Sequence, residues 1–154
     1  MEIELMNMCM IHNTKTDEVV VLDKIVKEGW EGLTFPGGHV EEGESFFGSV
    51  IREIKEETNL NIENPFIKGV IQWIEEGNQK RRSVGILYYT NKYSGVLEEE
   101  NREGKLCWMK REEFIKADNL SKSMDLCIDI YDGKMKEVLL YFKEGEYQYK
   151  NSFY

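Results

Sequence analysis

Three glutamates, Glu53, Glu56 and Glu57, stand at i, i+3 and i+4 in one short segment. On a helix that spacing gathers the three carboxylates on one side, since residues three and four apart are neighbours there. Stacked like charges cost a helix about a few tenths of a kcal/mol per pair. A hard divalent cation reverses the sign, because Mg²⁺ prefers carboxylate oxygens shared with water and substrate phosphates. Arg52 precedes the set and can orient a carboxylate through a bidentate hydrogen bond. Glu44 adds an acid at the mouth of the helix, where the dipole favours negative charge. Such a set can support metal-assisted attack of water on a phosphoryl group. The competing reading is a solvated acidic face, the default for surface Glu and Lys. Gly37 and Gly38 shift the balance, because a glycine loop ahead of the helix lets backbone groups approach a ligand closely.

The elements that must position this set are legible in outline. Residues 45–58 form the clearest helix, with Ser45 as N-cap and Phe47, Val50, Ile51 and Ile54 recurring as an apolar face. Asn59 suits the left-handed position that closes a helix. Residues 2–11 and 18–22 read as a hairpin joined by a turn at 13–17, and residues 29–43 as a glycine-rich loop with short extended pieces. Strands are expected at 66–74 and 83–89 around a polar turn at Gly77 and Asn78. An acidic loop at 93–105 follows, then a strand at 106–109. Helices are expected at 112–117 and 121–131, the second stopped by Gly133, with a closing hairpin of 136–142 and 146–153. The fold class is α+β, a mixed sheet with one early and one later helix.

The chain has 154 residues, 41% of them hydrophobic, which fits one domain over residues 1–154 with a single core. Its net charge of -9 argues against nucleic acid or an anionic membrane as partner. A small anionic substrate stays open if cations screen the site. Cys9, Cys107 and Cys127 are an odd set without zinc spacing, so reduced thiols in a cytoplasmic protein are expected. No apolar run approaches the ~20 residues of a membrane span. Residues 1–10 carry Glu2 and Glu4 and no basic-then-apolar pattern, so no signal peptide is expected. His12 and His39 are far apart, and nothing local marks either as catalytic.

Gly38, five residues, Glu44, seven residues, Arg52-Glu53-Ile54-Lys55-Glu56-Glu57, and then Asn59-Leu60 resemble the Nudix box, here residues 38–60. At ordinary residue frequencies, chance agreement at the six charged or glycine positions is on the order of 10⁻⁷ per starting point. The box normally has glycine where this chain has Asn59, the usual second choice for a left-handed cap. Leu33 to Gly38, Gln72-Trp73 and Cys107-Trp108 are similar to the MutT-type branch, and the likeness covers about the first 130 residues.

The resemblance implies the Nudix fold, an α/β/α sandwich with a mixed β-sheet, and a Mg²⁺-dependent hydrolase, with Mn²⁺ a substitute. Carried over by position, Glu53, Glu56, Glu57 and the Gly37 carbonyl would hold the metal. Glu53 is the family's frequent candidate for activating water. In other members a carboxylate from a later loop does so, which points to the acidic run Glu98, Glu99, Glu100, Glu103 and within it to Glu103. Arg52 would orient the carboxylates. The implied substrate is a nucleoside triphosphate, with 8-oxo-dGTP one candidate. ADP-sugars, dinucleotides and a non-catalytic nucleotide-binding module are the alternatives. Phe35 is a candidate face for a base, against a plain core role. Asp118 and Asn119 are candidates for reading a purine edge, against a helix N-cap. Trp73 and Trp108 are read as core. Whether the chain acts as monomer or homodimer is open.

Overall fold

The computed structural model describes residues 1–26, 29–75, 78–143 and 146–153. Among them, runs of β-branched, aromatic and sulfur-bearing side chains form the strands. In chain order the elements are β1 (Glu2–Asn13), β2 (Glu18–Lys24), β3 (Gly32–Thr34), β4 (Gly37–His39), α1 (Phe46–Thr58), β5 (Asn61–Glu63), β6 (Phe66–Glu75), β7 (Asn78–Thr90) and β8 (Lys92–Ser94). They continue with β9 (Glu100–Asn101), β10 (Gly104–Lys110), α2 (Arg111–Lys116), α3 (Met124–Tyr131), β11 (Glu137–Lys143) and β12 (Glu146–Phe153).

The main sheet runs β12-β11-β6-β7-β1-β2-β10-β9, with β3 on β2 and β4 on β1, while β5 and β8 pair separately. It is mixed, because β1–β7 and β6–β11 are parallel whereas β6–β7, β11–β12 and β2–β10 are antiparallel. Strand β1 is the pivot. One edge pairs with β7 from Glu2 to Ile11. The other edge takes β4 at Met6–Met8 and meets β2 only at His12 and Asn13. The sheet therefore divides along β1, and β2, β3 and β10 diverge from β4.

Alternation on β1 separates the two cores. Cys9 and Ile11 join Val20, Leu22, Ile86 and Tyr88 beneath Val50 and Ile54 of α1. Met10 belongs to the opposite core, where Val19, Val21, Ile71 and Leu87 meet Phe114 of α2 and Cys127, Ile130 and Tyr131 of α3. The result is the expected α/β/α layering of an α+β chain.

Helix α1 forms as its sequence predicts. The Ser45 hydroxyl accepts from Gly48 N at 2.9 Å, and Asn59 closes the helix in the left-handed region at φ 70°. One expectation fails. Phe47 is 48% exposed rather than part of the apolar face, because the first turn of α1 projects beyond the sheet that buries Val50 and Ile54. The last helix is shorter than expected: residues 121–123 form a turn, with Ser123 at φ 62°, and α3 starts at Met124. The acidic loop holds two short strands, β8 and β9. Gly77 of the expected polar turn lies outside the described residues, and Asn78 already begins β7. The closing hairpin is present as β11 and β12.

Phe114 is 1% exposed and packs on Phe35 at 4.6 Å between ring centroids. Replacing it with alanine should cost about 3–5 kcal/mol of stability, read from urea unfolding.

Candidate active site

The site is built where α1 crosses the divided sheet. Strand β4 brings Gly37 and Gly38 against β1, and α1 lays Glu53 directly over them. A Cβ on Gly38 would stand 2.1 Å from Glu53 Oε2, and one on Gly37 would stand 2.0 Å from the Asn7 carbonyl oxygen. Both glycines are required by this close approach. Asn7, 6% exposed, holds the three elements together. Its Oδ1 accepts from Gly38 N at 3.0 Å, and its Nδ2 donates to Ser49 Oγ on α1 at 3.0 Å. Buried polar groups need such partners, and here the partners also fix the loop to the helix.

Arg52 organises the acids beside it. Its Nε and Nη2 donate to the two Glu44 carboxylate oxygens at 2.7 and 2.8 Å. Its Nη1 donates to Glu53 Oε1 at 3.0 Å and to Glu56 Oε2 at 3.1 Å, while Nη2 also reaches the His39 carbonyl at 3.0 Å. The Arg52 bonds, with help from the Glu41 backbone amide, hold the Glu44 carboxyl down at about 2. Glu53 thus keeps one oxygen tied to a cation.

Glu57, one turn further on, is 7% exposed. Burial pushes its carboxyl up, and the charges of Glu103, Glu53 and Glu56 push it further, with Arg102 opposing. The Arg102 guanidinium is 3.9 Å away. Asn101 supports the carboxylate: its Nδ2 donates to both the Glu57 carbonyl and Oε2 at 3.0 Å, and its Oδ1 accepts from Glu103 N at 2.8 Å.

These groups open on a cavity of about 380 Å³, within the range of small-molecule sites. Its walls carry Glu53, Glu57 and Glu103 together with the cations Lys24, Arg102 and Lys122. Apolar and aromatic residues share the lining: Met8, Ile71 and Leu87, with Trp30 and Trp73 edge to face at 6.1 Å. At the mouth, burial would raise the Glu4 carboxyl, but hydrogen bonds from His39 and Arg81 outweigh it and keep the group below the usual range.

Among the described residues, no three His, Cys, Asp or Glu side chains close into a ready cage for a metal. Magnesium takes one or two carboxylates and completes its shell with water and phosphate. The donor set here is oxygen only, which fits a hard divalent cation. The ionised form of Glu57 is opposed by burial and by three other carboxylates, a penalty that a cation among them would remove.

The structure brings together Gly37, Glu53, Glu57 and Glu103 around the cavity. Glu56, expected with them, does not line the cavity: its side chain is 57% exposed and bonded to Arg52. Phe35 touches the cavity floor but is 3% exposed, its ring packed between Phe114 and Tyr131. The core role that competed with base stacking takes up its faces. Asp118 and Asn119 are exposed and do not line the cavity. The Asn119 carbonyl is instead bonded to Leu33 N, and Ser121 N to the Leu33 carbonyl, which ties the turn to β3 and aims residues 121–124 at the cavity. Neither residue caps α3, which begins after Ser123. Trp73 lines the cavity, whereas Trp108 packs against Tyr93 on the α1 side.

A family model described as the NUDIX domain matches residues 7–140. The chain belongs to the Nudix family. It is 38% identical over 96 residues to an uncharacterised Nudix hydrolase, YvcI, of Bacillus subtilis (strain 168), a match spanning 61% of this chain and 60% of that relative. Among solved structures it is similar to a mutator MutT protein from Bacillus halodurans, with a TM-score of 0.77 at 24% identity over 96% of this chain and 97% of that one. It also resembles a MutT protein from Methanosarcina mazei Go1, with a TM-score of 0.69 at 20% identity over 86% and 95% of the two chains. The Nudix fold is thereby shown, with α1 as the Nudix helix.

Sequence reasoning missed Asn7, Asn101 and Glu4. Only Asn101 had a local signal, since Asn-Arg-Glu-Gly at 101–104 is turn chemistry. Because Arg52 grips Glu44 through a two-pronged fork that an ammonium cannot reproduce, Arg52→Lys in the Nudix helix should lower activity about 10- to 100-fold, measured as kcat. The raised Glu57 carboxyl gives a second test. The folded state holds that proton more tightly than the unfolded chain, so the stability it contributes is complete below the ordinary carboxyl pKa and is lost as pH rises through the raised value. Without divalent cation, Glu57→Gln should therefore melt above wild type at pH 7, and the gap should close below about pH 4.

Proposed function

We propose that the chain is a Mg²⁺-dependent hydrolase that cleaves a phosphoanhydride bond in a nucleoside polyphosphate, acting in the cytoplasm. The observation that carries this reading is the placement of buried Glu53, laid against Gly38, and buried Glu57 in one cavity whose lining also holds cations and two tryptophans. Glu53, Glu57 and the Gly37 carbonyl would hold the ion, with Glu56 joining them by leaving its bond to Arg52. A bound magnesium ion would supply charge neutralisation of the diphosphate and acidification of the attacking water. Lys24, Arg102 and Lys122 are placed to neutralise the remaining phosphate charge.

The proton of the attacking water goes to a carboxylate, and Glu103 is our choice. Glu53 already has an oxygen committed to Arg52, whereas the Glu103 charge bears on Glu57 from the facing loop. As a phosphorus–oxygen bond forms, the bridging oxygen of the anhydride leaves with its electron pair. The substrate favoured is a nucleoside triphosphate, split to the monophosphate and pyrophosphate, with 8-oxo-dGTP included. The tryptophans in the cavity lining, Trp30 and Trp73, support a planar base.

A panel of common and oxidised nucleoside triphosphates, dinucleotides and ADP-sugars, incubated with Mg²⁺ and resolved by product, tests the reading. Release of pyrophosphate from a triphosphate is expected. Glu57→Gln and Glu56→Gln should remove it, and Glu103→Gln should lower kcat about 10²- to 10⁴-fold with little change in KM. Turnover of ADP-sugars alone would reassign the substrate, and no turnover of any compound would refute the hydrolase.

A further inference from the structure

The cavity lining carries a row of side chains that the hydrolytic machinery does not use. Strand register sets Trp73 of β6 opposite Ser83 of β7, and Ser83 opposite Glu4 of β1. The three therefore stand in line on one face of the sheet, and all three line the cavity. The next row inward is Ile71, Gly85 and Met6. A Cβ on Gly85 would lie 3.1 Å from both Ile71 Cγ2 and Trp73 Cη2, so the missing side chain gives the indole room to lean across the floor. With Trp30 edge-on to Trp73, the end of the cavity is an aromatic slot that terminates in a carboxylate.

That carboxylate is held in place. Glu4 Oε1 accepts from His39 Nε2 at 2.6 Å. Its Oε2 accepts from Arg81 Nη2 and, more weakly, from Ser83 Oγ at 3.4 Å. An ionised carboxylate offers about four lone-pair sites, so these bonds leave Oε1 able to accept once more. Trp73 Nε1, a donor, finds no hydrogen-bond partner among the described residues. A slot so equipped distinguishes bases by the polarity of their edge. Guanine presents a ring N–H beside an amino group, two donors that suit a carboxylate. Adenine presents a ring nitrogen lone pair at the equivalent place, which a fixed negative oxygen repels.

We propose that Glu4 is a specificity-determining residue: it accepts an N–H from the edge of a guanine-type base lying in the Trp73 slot, and so favours guanine over adenine nucleotides. The inference rests on the nucleoside polyphosphate reading above. Glu4 bonds to His39, Arg81 and Ser83 rather than to Glu53 or Glu57, so losing it should change the choice of base more than the chemistry.

The test is kcat/KM for dGTP, dITP and dATP with Mg²⁺ in wild type, Glu4→Gln and Ser83→Ala, with melting temperatures measured alongside. Wild type should prefer dGTP, with dITP, which keeps the ring N–H, between it and dATP. Glu4→Gln should shrink the dGTP/dATP ratio about tenfold or more, mainly through a higher KM for dGTP, while dATP turnover stays within about twofold. Ser83→Ala, which loses only the weaker contact, should shrink the ratio less. An unchanged ratio in Glu4→Gln overturns the proposal, as does an equal loss on all three substrates with a lowered melting temperature. A wild type that hydrolyses nucleotides without a base preference overturns it while leaving the hydrolase standing. A wild type that hydrolyses none of them overturns both.

Discussion

Two buried carboxylates of like charge, one turn apart on a helix, are the constraint around which this molecule is arranged. Glu53 and Glu57 are 9% and 7% exposed, and burial alone disfavours their ionised forms. The surrounding chain offsets this cost piecemeal. Arg52 donates to Glu53, Asn101 to Glu57, and Gly38 has no side chain to occupy the space that the Glu53 carboxylate fills. What is left unbalanced at Glu57 is what a cation would balance. The helix is thus locally unfavourable and globally necessary, as functional sites commonly are.

The division of the sheet along β1 gives these charges somewhere to act. Had β2 stayed paired with β1 beyond two residues, a continuous sheet would have closed the space in which β4, the α1 carboxylates and the 101–104 turn now converge. The two cores stabilise the layers independently, one under α1 and one under α2 and α3, and the cavity runs between the halves. Its carboxylates are held by α1 and the 101–104 turn, while the row of Glu4, Ser83 and Trp73 belongs to the sheet.

What was legible in the sequence is what depends on neighbours close along the chain. The Ser45 cap, the Asn59 terminator and the Glu53, Glu56 and Glu57 cluster are all set by helical periodicity. The structure finds them where that periodicity puts them. Phe47 obeys the same periodicity yet is exposed, because a pattern gives the direction a side chain takes and not whether anything lies in that direction. Asn7 bonds to residues 31 and 42 positions away, and the row of Glu4, Ser83 and Trp73 depends on register between three strands. No local pattern encodes such neighbours. Asp118 and Asn119 fall beside the site rather than in it because backbone bonds to Leu33 set the rotation of their turn.

The parallel pairing of β1 with β7 joins residues roughly eighty apart, and β4 docks on the opposite edge of that same strand. Strand β1 thus waits for a strand much later in the chain before it has a fixed place in the sheet. Loop closure over that span delays non-local strand pairing, so assembly of the carboxylate end is a late event in folding. Until then the Nudix helix carries its crowded negative charge without Asn7 or Asn101 to hold it.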